Sequence, residues 1–150
     1  MKSFIRNSIV LVATGAILLS FSPNFGGEGF EISLNNKVVV QKYGTNINDM
    51  NSLQLDQSAF NAALTVKYHH CGRVGKNRVL CIKDGQNKIL KEWHFADVAT
   101  PVAAMSVEVK DILNFRKGNG SFLKLYYSSS ELPNGRMLTS IVLGNTPSAP

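Results

Sequence analysis

Two of the three histidines and both cysteines fall within one short stretch, KYHHCGRVGKNRVLCIKDG, residues 67–85. These residue types at this spacing raise three chemistries. A zinc site needs three or four N or S ligands converging as a tetrahedron. On a strand, successive side chains point to opposite faces. His69 and Cys71 therefore share a face, and His70 points the other way. Cys81 joins them if the hairpin register is even, and His94 has to arrive from the next strand. The chain has neither a CxxC nor an HxxxH pattern, so the metal set His69, Cys71, Cys81 and His94 is the minor alternative. A thiol nucleophile at Cys71 or Cys81 needs a histidine aimed at it and a third group to orient that histidine. No third group is apparent.

A disulfide between Cys71 and Cys81 is the reading this stretch favours, because two cysteines in an oxidising compartment pair. If they face each other across a hairpin, Val74 lies opposite Arg78 and the loop is Gly75-Lys76-Asn77. Such a bridge would stabilise the fold by roughly 3 kcal/mol through chain entropy. A four-residue loop, 74–77, slips the register by one and puts the cysteines on opposite faces.

The compartment is read from the first residues. MKSFIRNSIVLVATGAILLSFSPNF carries Lys2 and Arg6 and no acid, followed by an apolar run from Ile9 to Phe21. A cationic head and a short apolar stretch form a signal peptide, here residues 1–25, with cleavage between residues 21 and 28. The run is shorter than the roughly 20 apolar residues of a membrane span. No later stretch approaches that length, so the mature chain has no transmembrane span. Export implies a periplasmic or extracellular protein. Residues 26–145 form one domain by length, and residues 146–150, TPSAP after Asn145, form a flexible tail.

Loss of Lys2 and Arg6 takes the net charge from +6 to about +4. The remaining basic residues are scattered rather than clustered, and export removes the protein from nucleic acid. A solvated basic surface is the plain account, and nucleic acid is not an expected partner.

Turn signals and period-two alternation mark the elements. FEISL and KVVVQKY flank Asn35-Asn36, which tolerate a tight primed turn. Residues 44–61 are polar apart from Leu53 and Leu55, which suits a long crossover with a short strand inside it. ALTVKYHHC alternates with Leu64, Val66 and Tyr68 on one face. RVLCIKD reads as a central strand, DGQN as a turn and KILKEWHF as the next strand. MSVEVK alternates again, with Met105, Val107 and Val109 on one face. DILNFRKG suits one or two helical turns capped by Asp111. SFLKLYYS and RMLTSIVLG flank a turn at ELPNG. About seven to eight strands and one short helix indicate an all-β, antiparallel β-sandwich. A small β-barrel is the alternative.

GGEGFEISLNNKVVVQKYG, YHHCGRVGKNRVLCIKDG, LKEWHFAD and LPNGRML together resemble a group of short exported proteins of Gram-negative bacteria that has no assigned activity. The resemblance spans most of the chain after the leader. It implies export and a single β-rich domain, and it assigns no role to any residue.

The chain has no GxSxG, P-loop, HExxH or DxDxDG calcium loop, and no cofactor is expected. Without a catalytic set, the chain reads as a non-catalytic binding module for an envelope protein or glycan. The alternatives are a small metal- or thiol-dependent enzyme or metal carrier, and a structural envelope subunit. Candidate binding residues are Trp93 and the Tyr126-Tyr127 pair, one of which must face outward, with Arg73 and Lys76 on a basic loop. The sequence leaves the oligomeric state open. N-terminal sequencing of protein recovered from the envelope or medium should show a start about 20 to 27 residues in. Intact Met1 in the cytoplasm would overturn the export reading.

Overall fold

The computed structural model describes residues 27–117 and 121–144. The expected signal peptide, its cleavage site and the C-terminal tail lie outside the described residues. Among the described residues there are nine strands: β1 (Gly29–Leu34), β2 (Lys37–Tyr43), β3 (Ser52–Leu55), β4 (Ala63–His69), β5 (Arg78–Lys83), β6 (Ile89–Phe95), β7 (Met105–Glu108), β8 (Ser121–Ser129) and β9 (Leu132–Leu143). One short helix, α1 (Val109–Leu113), lies between β7 and β8.

Local chemistry sets the hairpins. Asn35 and Asn36 take φ of 46° and 66°, the two positive values that a primed two-residue turn between β1 and β2 requires. In the β5–β6 turn, the Asp84 carboxylate accepts from the backbone N–H of Gln86 and of Lys88, each at 2.9 Å.

The strands form a β-sandwich. One sheet has the order β2-β1-β4-β7 and the other β3-β9-β8-β5-β6. Both sheets are open-edged, which rules out the barrel alternative. Neighbouring strands are antiparallel except β3 and β9, which run parallel with Leu53 opposite Ile141. The long link after β2 therefore crosses to the second sheet, adds β3 there, and returns to the first sheet as β4. It buries Ile47, Leu53 and Leu55 as it goes.

Alternation fills the space between the sheets. Phe30, Ile32, Leu64, Val66, Tyr68, Met105 and Val107 come from one sheet. Leu80, Ile82, Leu123, Leu125, Tyr127, Ile141 and Leu143 come from the other, and all belong to one buried cluster. α1 closes one end with Val109, Ile112 and Leu113 buried.

Three expectations are corrected. Residues 67–85 are not a hairpin, because β4 pairs with β1 and β7 while β5 pairs with β6 and β8. In separate sheets, β4 and β5 both turn their inward apolar residues into the shared core. The helix starts at Val109 rather than beyond Asp111. Val109 N–H donates to Ala62 O at 3.0 Å, and this turns the Val109 side chain into the core. The β8–β9 turn is Ser130-Glu131, not ELPNG, because Ser129 already lies opposite Leu132. Pro133, Asn134 and Gly135 form a bulge opposite Ser128, where Pro133 lacks a donor and Gly135 takes φ 69°.

Leu125→Ala, at a fully buried site on β8, should lower unfolding free energy by about 2–5 kcal/mol. Phe122→Ala, on the outward face of the same strand and 45% exposed, should cost under about 1.5 kcal/mol. Equal losses in urea denaturation would contradict the assigned strand faces.

Candidate functional site

The inward row of β4 does not stop at Tyr68. His70 continues the parity of Leu64, Val66 and Tyr68 and is itself buried. The ring of Tyr68 stacks on that of Tyr127 from the other sheet, with centroids 4.3 Å apart and planes 20° apart. Phe30, the cross-strand neighbour of Tyr68 on β1, lies nearly parallel to it with centroids 6.3 Å apart.

Each tyrosine hydroxyl leads into a polar cluster. Tyr127 Oη lies 2.8 Å from His70 Nε2, and Ser129 Oγ lies 3.3 Å from the same nitrogen. Tyr68 Oη donates to Glu28 Oε1 at 2.5 Å and accepts from Arg136 Nε at 2.9 Å. The other two nitrogens of Arg136 donate to Glu28 Oε2 at 3.0 Å and to Asn48 Oδ1 at 2.5 Å. The guanidinium fork thus ties β9 to the chain ahead of β1 and to the turn after β2. Burial pushes the Tyr68 hydroxyl far above the ordinary tyrosine value, and its bond to Glu28 adds to this. It pushes Tyr127 up as well. Burial holds His70 below the ordinary imidazole value, partly offset by Glu131 and Glu28.

Three loops meet at this end of the sandwich and are bonded to one another. They are residues 70–77 after β4, 96–104 after β6, and the β8–β9 turn. Cys71 and Gly72, at φ 53° and 83°, form a tight turn that Arg73 N–H closes onto His70 O at 3.1 Å. Lys76 N–H donates to Glu131 Oε2 at 2.9 Å, and Ser130 N–H to Lys76 O at 2.8 Å. Asn77 donates from its backbone to Asp97 and from its side chain to Ser130 Oγ, each at 2.8 Å. Arg78, buried beneath, donates to Ala96 O at 2.8 Å and Ala103 O at 3.1 Å, holding both ends of the 96–104 loop. Arg73 and Lys76 remain exposed on top.

Ser129 and His70 have the residue types of an acyl-transfer pair. They are sealed, however. Both are buried, and a Cβ on Gly75 would meet Tyr127 Oη at 2.9 Å and His70 Nε2 at 3.0 Å. The backbone of the 70–77 loop lies directly on them, so the arrangement as it stands holds structure together rather than admitting a substrate.

The candidates named from sequence separate. Tyr127 is core, not surface. Trp93 lies opposite Leu80 and packs half-buried against the core. Tyr126 is the tyrosine that faces outward, and Lys83 Nζ sits 4.1 Å from its ring centroid. Cys81, Lys83, Glu92, Tyr126 and Asn134 line a shallow outer depression of about 130 Å³. A larger open one, about 290 Å³, lies at the other end between Leu90, Phe115 and Phe122.

The Cys71–Cys81 disulfide does not form; both are free thiols. Cys71 is exposed in the turn after β4, whereas Cys81 lies in the second sheet between Glu92 and Tyr126. The metal set is not assembled either. His94 is exposed, 3.9 Å from Glu92, and His69 packs edge-on to Tyr43 at 5.5 Å. Among the described residues, no group of three or more His, Cys, Asp or Glu side chains is placed to hold a metal. Burial pushes the Cys81 thiol above its ordinary value, which disfavours the thiolate a nucleophile needs.

Sequence reasoning passed over Glu28, Tyr68, His70, Arg78 and Arg136. The signal for His70 was present in the period-two row, since an inward Leu64, Val66 and Tyr68 require an inward residue 70. Nothing in the sequence joins Arg136, on β9, to Glu28, in the chain ahead of β1.

No protein-family model matches the chain, and no curated protein matches its sequence.

Thiol titration of the folded, unreduced protein should find Cys71 reactive at once and Cys81 reactive only on denaturation. A protein with no free thiol in denaturant before reduction would contradict the separation of the two cysteines.

Proposed function

We propose that the chain is an exported, non-catalytic binding module for an envelope protein or glycan, and that it binds through the loop end just described. One observation carries this reading. Three loops drawn from both sheets are bonded to one another over a rigid polar core, and they present Arg73 and Lys76 to solvent. Loops held in this way lose little entropy on binding, which favours recognition. The 96–104 loop, bonded to Asn77 through Asp97, has an uncharged stretch with Val98 39% exposed and offers apolar contact. The outer sheet faces are less suited. Lys83 already occupies one face of the Tyr126 ring, and Thr65, Ser106, Glu31 and Lys67 pair among themselves on the first sheet.

The test compares tagged wild-type protein with Arg73→Glu/Lys76→Glu and with Tyr126→Ala. Binding to isolated envelope polysaccharide and capture of envelope proteins are both measured. The charge-reversed protein should lose at least about tenfold in binding, since two rim contacts of roughly 1 kcal/mol each turn repulsive. Tyr126→Ala should bind normally. Undiminished binding by the charge-reversed protein would exclude the loop end as the binding site.

A further inference from the structure

His70 reaches from the end of one sheet to the other. Its Nε2 contacts Tyr127 Oη at 2.8 Å and Ser129 Oγ at 3.3 Å, and its ring packs 4.7 Å from Tyr68. The 71–77 segment then folds back over these groups. The space a Gly75 Cβ would need is already within 3.0 Å of the His70 ring and 2.9 Å of Tyr127 Oη, so no water fits between the segment and the ring on that side.

We propose that His70 is an acid-sensitive latch, and that protonation of its ring lifts the 71–77 segment from the end of the sandwich. The inference concerns this end of the molecule whatever it binds.

The geometry leaves a charged ring poorly served. In the neutral ring, Nε2 shares one proton position with two hydroxyl partners. In the imidazolium it must donate, and both hydroxyls have to turn to accept. The charge also has to be solvated, and the carboxylates near it are already engaged. Glu131, on the β8–β9 turn, accepts from Lys76 N–H. Glu28, ahead of β1, is held by Arg136 and Tyr68. Both favour the cation from a distance, while Arg73 on the segment itself opposes it. Arg78 on β5 adds positive charge near Tyr127. On the Nε2 side, water can reach the ring when Gly75 moves away. The bonds that keep the segment down run from Lys76 N–H to Glu131, from Ser130 N–H to Lys76 O, and from Asn77 to Ser130 Oγ and Asp97, and each is individually weak.

The direction follows from linkage. Burial holds the closed-state His70 below its ordinary value, and in the open state the ring regains about 6.5. The open state therefore binds the proton more tightly. The contribution of neutral His70 to closure is therefore fully present above about pH 6.5 and is progressively lost as pH falls toward the closed-state value.

Amide hydrogen exchange of the full chain tests this between about pH 7.5 and about pH 5, after correction for the intrinsic exchange rate. Protection of residues 71–77 should fall by up to about tenfold per pH unit, the limit for one proton, while residues 64–68 stay protected. His70→Gln keeps a hydrogen-bonding side chain without the titration, and its 71–77 protection should not depend on pH. Flat protection in the wild type would overturn the proposal, as would a pH dependence that persists in His70→Gln. Should that variant not fold, NMR titration of the wild-type imidazoles decides. A His70 midpoint at the ordinary value with the segment still protected at pH 5 rejects the latch, and a depressed midpoint coinciding with the loss of protection supports it.

Discussion

The stack of Tyr68 on Tyr127 is the contact on which the loop end depends. It joins the two sheets at the point where the aliphatic core runs out, with both rings almost wholly removed from water. Two stacked buried rings contribute about 0.5–1.5 kcal/mol beyond the area they bury. Their hydroxyls must then be satisfied, since a buried polar group without a partner costs about 1–3 kcal/mol. One hydroxyl finds Glu28 and Arg136, the other His70. Glu28 lies ahead of β1, His70 opens the loop after β4, and Arg136 lies on β9 just beyond the β8–β9 turn. The need to satisfy two hydroxyls thus becomes the rigidity of a whole end of the sandwich.

That rigidity sets this end apart from the opposite one. There, α1 closes the core with Val109, Ile112 and Leu113, and an open depression lies between Leu90, Phe115 and Phe122. At the tyrosine end, loops from both sheets are joined by directional bonds. A surface held in this way keeps its shape through those bonds, and the proposed latch would release it when one of its buried partners changes charge. His70 is placed to be that partner, because imidazole is the side chain whose ordinary charge change lies nearest to neutral pH.

The cysteines show how much a fold's topology decides about its chemistry. A hairpin would have set Cys71 and Cys81 side by side. A crossover between sheets separates them, one in a solvated turn and the other beneath the Lys83–Tyr126 pair. The same separation disperses His69 and His94, since the first sits on the outer face of one sheet and the second near the edge of the other.

Several features were legible in the sequence because they rest on local rules. Asn35-Asn36 had to turn, since few other residues accept two successive positive φ values. Leu64, Val66 and Tyr68 had to face the core, and the length of the 44–61 link suited a crossing between sheets. A β-sandwich follows from those patterns. Tertiary structure alone decided the rest. Whether β4 and β5 pair or face each other depends on which arrangement buries both apolar rows, and that is a property of all nine strands together. The parallel pairing of β3 with β9, the bulge at Pro133-Asn134-Gly135 and the meeting of Arg136 with Glu28 have the same origin. They are contacts between residues distant in the chain, and no local preference specifies them.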